Sequence, residues 1–364
     1  MAAIAAVGFA FKAILIKLLY AEFPIDPETV LALRLLFALP FFALMALFAG
    51  SGARTLEARD WRALVGLGFI GYYLSSYFDF LGLQYISAGL ERLILFLQPT
   101  MVVLLSAFFF KTRVRRHHVI SIVLSYGGIA LVFAANLNLA QEPRAITLGS
   151  SLVFLSALSY AFYLIGSGTV IPRLGAARFT GLASMIACVF ATAQFFIGHG
   201  VTGLEQPPKV YWLSLIMAVV STVMPIWLMA EGVKRIGASQ VAMISAIGPI
   251  ITIYFGWLIL DEPITMVQIA GAVLVLAGVI GFPLLFDTQP RPIPVDLPIE
   301  IPRKESVPPL AVPTREPLSP RPVTGSLSSS VVSPSARTAR CSVSASRIEA
   351  RSDSPARRRP LPSE

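Results

Sequence analysis

Charge is what this sequence has least of. Of 364 residues, 13% are Asp, Glu, Lys or Arg while 55% are hydrophobic, whereas a soluble domain carries about 25% charged residues. A water-soluble globular protein is thereby excluded. Cysteine is nearly absent too: Cys188 sits in an apolar stretch and Cys341 near the end, so neither a disulfide framework nor a Cys metal site can be built. No Walker-type Gly-rich loop, HExxH or GxSxG occurs, so ATP-driven and common hydrolytic machinery have no foothold. No catalytic residue, metal or cofactor is expected. The start, Met1-Ala2-Ala3-Ile4, lacks the charged n-region of a signal peptide and reads as a retained first membrane helix.

What is present is a succession of apolar runs. A membrane helix needs about 20 apolar residues to cross the roughly 30 Å hydrocarbon core. Ten segments qualify: 2–20, 28–49, 61–83, 88–110, 118–135, 147–171, 179–198, 210–230, 238–260 and 264–286. Breakers separate them, among them Pro24 and Pro27, Gly50-Ser51-Gly52, Pro143, Pro172, Pro207-Pro208 and Asp261-Glu262-Pro263. The fold class expected is an all-α membrane protein of ten transmembrane helices.

The net charge of +9 points to membrane orientation rather than nucleic acid, because the basic residues lie in short loops and the tail. The even-numbered loops hold eleven, namely Arg54, Arg59, Arg62, Lys111, Arg113, Arg115, Arg116, Arg173, Arg178, Lys234 and Arg235; the odd-numbered loops offer Arg92, Arg144 and Lys209. Both termini are therefore expected in the cytoplasm, in a multi-pass protein of an inner membrane. Membrane lipid and a small-molecule solute are the partners expected; no oligomeric state is specified.

Sliding the chain against itself by 150 residues superposes Gly82 on Gly232, Ile86 on Ile236, Ala88 on Ala238, Pro99 on Pro249 and Gly128 on Gly278. Two five-helix units are expected, 1–135 and 146–286. Five is odd, so the second copy enters the membrane from the opposite side. Such inverted repeats build many secondary carriers, with the solute site at the repeat interface near mid-bilayer. Pro99 and Pro249 fall about eleven residues into their helices, where each is expected to interrupt the hydrogen-bond ladder and free carbonyls toward a ligand.

The segments Phe11-Lys12-Ala13-Ile14-Leu15-Ile16-Lys17, Leu33-Arg34, Gly82 to Ala88 leading to Gln98-Pro99, Gly237-Ala238-Ser239 through Gly248-Pro249, and Leu260-Asp261-Glu262-Pro263 together resemble EamA-type members of the drug/metabolite transporter superfamily. Glu262 matches that family's acidic step after the proline-bearing helix, whereas Lys111-Thr112 stands there in the first copy. The resemblance covers residues 1–286. It implies secondary transport of a small metabolite or drug-like solute, mostly outward, by alternating access, without naming the solute.

Ionisable side chains at mid-helix cost roughly 2.5–3.5 kcal/mol on insertion scales, so those that persist face a cavity or a partner. Lys12, Arg34, Asp79 and Glu91 qualify. Glu91 and Gln98, seven apart, share a helix face beside Pro99. From the second copy Tyr163, Trp227, Gln240 and Pro249 join as candidate solute contacts. Asp79 and Glu91 are the candidates for coupling to a proton. A purely structural reading instead pairs Asp79 with Arg92 or Arg34 and lets Glu91 reach external water. The small residues Gly127-Gly128, Gly271, Gly278 and Gly281 suit close helix packing. His117-His118 reads as a solvated interfacial pair rather than a metal site.

Residues 287–364 hold fifteen of the twenty-seven prolines and no apolar periodicity, the composition of a disordered cytoplasmic tail. The competing function from another class is a membrane-embedded enzyme acting on a lipid headgroup through Asp79, Glu91 and His117. It suffers from the expected separation of the histidine and the acids by about a membrane thickness.

Overall fold

The computed structural model describes residues 1–50, 55–111, 116–139, 142–236 and 238–281. The tail, Arg54, Thr112, Arg113, Arg115 and Gly237, and the side chains of His117, Lys234, Ala238 and Ser239, lie outside the described residues. Ten helical spans follow one another, with no strand among the described residues: α1 Ala2–Glu22, α2 Pro27–Gly50, α3 Ala58–Gly82, α4 Ala88–Phe110, α5 Arg116–Leu139, α6 Pro143–Leu174, α7 Ala176–His199, α8 at 208–236, α9 at 238–260 and α10 at 266–281. Eight are by themselves long and apolar enough to cross a bilayer. The ninth reaches that length as two pieces, Ala238–Ser245 and Gly248–Leu260, and the tenth through a final π turn, Ala277–Gly281.

The two halves repeat at the level of local irregularities. The fourth helix is broken between Ala88–Leu95 and Gln98–Phe110, and the ninth between Ala238–Ser245 and Gly248–Leu260, each boundary displaced by 150 residues. Both second pieces end on a left-handed residue, Lys111 at φ 51° and Asp261 at φ 52°. A π turn interrupts α3 at Gly68–Leu74 and α8 at Val219–Val223. Residues obeying the same breaks at the same spacing, on two segments of different sequence, mark the inverted repeat directly.

Packing follows the same symmetry. Repeat mates pack on each other, α2 on α7 and α5 on α10; the α1–α8 contact is mirrored by α6–α3, and α1–α9 by α6–α4. At the α5–α10 seam Gly128 faces Gly271, where an added Cβ on Gly128 would stand 2.8 Å from the Gly271 carbonyl oxygen. Small residues let the backbones approach, which is how helices associate where lipid removes any hydrophobic drive. One apolar core joins Ile14, Ile16 and Leu19 of α1 to Leu31 and Leu35 of α2, Phe80 of α3 and Met217 of α8. Large apolar side chains such as Leu47, Phe108 and Ile197 stand exposed, as a lipid-facing surface requires.

Candidate functional site

A cavity of about 340 Å³ lies among the helix middles, at the lower end of the roughly 300–1,000 Å³ usual for small-molecule sites. Its wall is drawn from repeat-equivalent positions. Arg34 and Ser184, Gly71 and Ser221, Tyr72 and Thr222, Ser76 and Ile226, and Leu95 and Ser245 all line it, and each pair is 150 residues apart. The pseudo-two-fold relation between the halves therefore passes through this space. Gly71 and Tyr72 sit in one π turn and Ser221 and Thr222 in the other, consistent with the frequent placement of such turns at functional sites. The widened turn shifts the carbonyl pattern, and the Ser159 hydroxyl donates to the Ile70 carbonyl at 2.7 Å.

The charged residues gather on one side of this wall. Lys12 Nζ stands 2.6 Å from Asp79 Oδ2 and 3.2 Å from Glu91 Oε1. Asp79 lines the cavity, while Glu91 is fully buried behind the ammonium. This corrects the pairing of Asp79 with Arg92 or Arg34, and the solvated Glu91, that the sequence suggested. Lys12 is nearer to both acids, and Glu91 is fully buried. Arg34 is held otherwise: its Nε donates to Thr222 Oγ1 at 3.0 Å and its guanidinium lies 5.2 Å over the Phe80 ring. Arg34 Nη1 and Arg92 Nε are buried without a hydrogen-bond acceptor among the described residues.

The other candidates divide. Gln98 lines the cavity with Lys12, Arg34 and Asp79. Tyr163 is buried one layer behind, its hydroxyl donating to Tyr72 at 3.2 Å and its ring edge-on at 5.1 Å. Trp227 and Gln240 are exposed and away from the cavity. The prolines do not line it either. Pro99 is exposed, Pro249 is buried elsewhere, and both occupy the first turn of the second helix piece. Proline fits there because its missing N–H is one the helix start leaves unpaired anyway. The interruption itself falls just before, where the Leu97 N–H turns back to the Ile94 carbonyl at 3.0 Å. Reasoning from residue type missed Tyr72, Ser75, Ser156, Ser184, Ser221 and Thr222; four of these, Tyr72, Ser184, Ser221 and Thr222, belong to cavity pairs 150 residues apart.

The ends of the bundle differ. At the end bearing the odd-numbered connections, Lys17 Nζ donates to the Ile86 carbonyl at 2.9 Å and Tyr20 to the Phe80 carbonyl at 3.0 Å. Glu262 Oε1 accepts the Ala88 N–H at 2.9 Å, capping the first piece of α4 from the other repeat. Glu28 Oε1 takes hydrogen bonds from Tyr77 and Gln194 at 3.2 and 3.0 Å. Together these clasp α1, α2, α3, α7 and the α9–α10 connection. The even-loop end shows Asp60 with Arg173 at 3.0 Å. Cavity residues such as Phe9, Phe42, Ile226 and Ser245 reach toward that second end.

Comparison with known proteins places this geometry. The EamA-like transporter family matches residues 1–134 and again 147–282. "Uncharacterized transporter YcbK" of Bacillus subtilis (strain 168) is 34% identical over 280 residues, covering 74% of this chain and 86% of that protein. "Uncharacterized transporter YcxC" of the same organism is 26% identical, covering 76% and 88%. An "Uncharacterized transporter" of Archaeoglobus fulgidus is 22% identical, covering 75% and 92%.

Proposed function

Because the chain belongs to the EamA-like transporter family and is a multi-pass membrane protein built as two repeats, we propose that it is a secondary carrier. It moves a small metabolite or drug-like solute across an inner membrane by alternating access. The carrying observation is the central cavity walled by repeat-equivalent residues. Exchanging the conformations of two inverted halves exposes such a space to one side and then the other. With the even-loop end cytoplasmic, as the Lys and Arg distribution indicates, the clasp through Lys17, Glu28 and Glu262 closes the external end. Net movement is outward, driven by accumulation of the solute inside.

Asp79 and Glu91 are the coupling residues in this reading. Two carboxyl groups share one ammonium, so Lys12 and Asp79 form a neutral pair whenever Glu91 carries a proton. The test is flux in proteoliposomes of the purified chain with and without an imposed pH gradient. Gradient-dependent flux that loses this dependence in Glu91→Gln and Asp79→Asn supports the assignment. Undiminished gradient dependence in both variants refutes the coupling role, and absence of flux for every solute class refutes the carrier.

A further inference from the structure

The charges around the cavity do not cancel. Lys12, Arg34 and Arg92 supply three positive charges, and Asp79 and Glu91 supply two negative ones, which leaves one positive charge unmatched, or two when Glu91 holds a proton. Lys12 is committed to the acids. Arg34 and Arg92 are not: neither makes an ion pair among the described residues, and each keeps a buried nitrogen without an acceptor. Arg34 is also preorganised, since Thr222 and the Phe80 ring fix its plane at the cavity wall. Arg92 reaches from the end of the first piece of α4 toward Gly248, at the break of α9, where a Cβ would stand 3.3 Å from its Nη2. The two guanidinium groups, both from the first repeat, thus reach the irregularities of the second, Arg34 at the π turn of α8 and Arg92 at the break of α9. They make no ion pair among the described residues, in a place where an unpaired cation is costly.

We propose that the solute carries a single carboxylate, received by Arg34 and Arg92, and this rests on the carrier reading above. Guanidinium groups match carboxylates with paired, charge-assisted hydrogen bonds. With Glu91 ionised the single excess charge is met by a monoanion, and a monoanion that arrives with a proton on Glu91 leaves the loaded cavity at the same net charge as the empty one. The remaining wall, with the hydroxyls of Ser184 and Tyr160, the mutually bonded Ser75 and Ser156, and the Phe96 ring, suits a hydroxylated, partly apolar body. Small hydroxy acids are the chemical class.

The test uses the full chain in detergent and in proteoliposomes, with protein-free vesicles as blank. The probes are 3-phenyllactate, 3-phenyllactamide, 1-amino-3-phenylpropan-2-ol and phenylalanine, with lactate and gluconate and their amides. Thermal stabilisation reports binding; flux reports transport. The acids should stabilise the chain and move, while the amides and the amine do not. Arg34→Gln and Arg92→Gln should each weaken acid binding at least tenfold, Arg92→Lys less, and the exposed Arg144→Gln not at all. Each variant's own melting temperature, within a few degrees of the parent, identifies it as folded. Transport of the amide or the amine in preference to the acid overturns the carboxylate assignment while the carrier stands. Acid binding without flux upholds the site and overturns the carrier. No binding and no flux across the set overturns both.

Discussion

Lys12 holds the densest piece of electrostatics in the molecule. Its ammonium donates to Asp79 at 2.6 Å and stands 3.2 Å from Glu91, whose two oxygens have no hydrogen-bond partner among the described residues. Removing one partner of a buried pair strands the other, which typically costs about 3–5 kcal/mol. Lys12→Met should therefore lower stability by an amount of that order, measured by thermal unfolding of the purified chain. Lys12→Met combined with Glu91→Gln should recover part of the loss, because one stranded charge has gone; equal stability of the single and double variants would show that Glu91 is not part of the cluster. Arg34 contrasts with Lys12. Its Nε contact is to a neutral hydroxyl, so Thr222→Val should loosen its placement and weaken solute affinity by a few-fold while leaving the fold intact.

Among the elements, the paired C-terminal ends of α4 and α9 carry the clearest strain. Lys111 and Asp261 close their helices with positive φ, a conformation that disfavours side chains by roughly 1–2 kcal/mol and that glycine adopts freely. Lys111→Gly and Asp261→Gly should each stabilise the chain by up to about 1 kcal/mol, read as a higher melting temperature. The α5–α10 seam predicts the opposite sign. Gly128→Leu has no room against the Gly271 carbonyl, and we expect loss of a monodisperse folded species in detergent.

These elements also mark how far the sequence could be read. Span positions, the repeat and the place of the interruption were legible, because apolar length and a 150-residue self-match are long-range patterns. The identity of the inward faces was not. Helices apolar all round have no amphipathic stripe, so Gln240 could be ranked only by residue type and Pro99 by its match to Pro249, and the structure sets both, with Trp227, outside the cavity. The pairing of Lys12 with acids 67 and 79 positions away was equally hidden, since it depends on which face of α1 meets α3 and α4.

At the scale of the whole molecule, a symmetric cavity carries an asymmetric charge. Arg34 and Asp79 come from the first copy, where the second places Ser184 and Met229. Glu91, facing Lys12 from α1 and Asp79 from α3 with Arg92 beside it on α4, governs the cavity's net charge. A proton there raises it and so favours an anion, and by linkage the anion favours the proton. Proton and carboxylate should therefore cross together, one for one, moving no net charge. A lone anion would feel about 2.3 kcal/mol per 100 mV of membrane potential, roughly a 50-fold bias. Carboxylate flux through the parent protein should change less than twofold when a 100 mV potassium diffusion potential is imposed with valinomycin. Glu91→Gln, unable to release a proton, should lose its response to pH gradients and gain that steep response to potential. If parental flux already follows the potential, the carboxylate crosses alone, and the two acids serve to hold Lys12 in place.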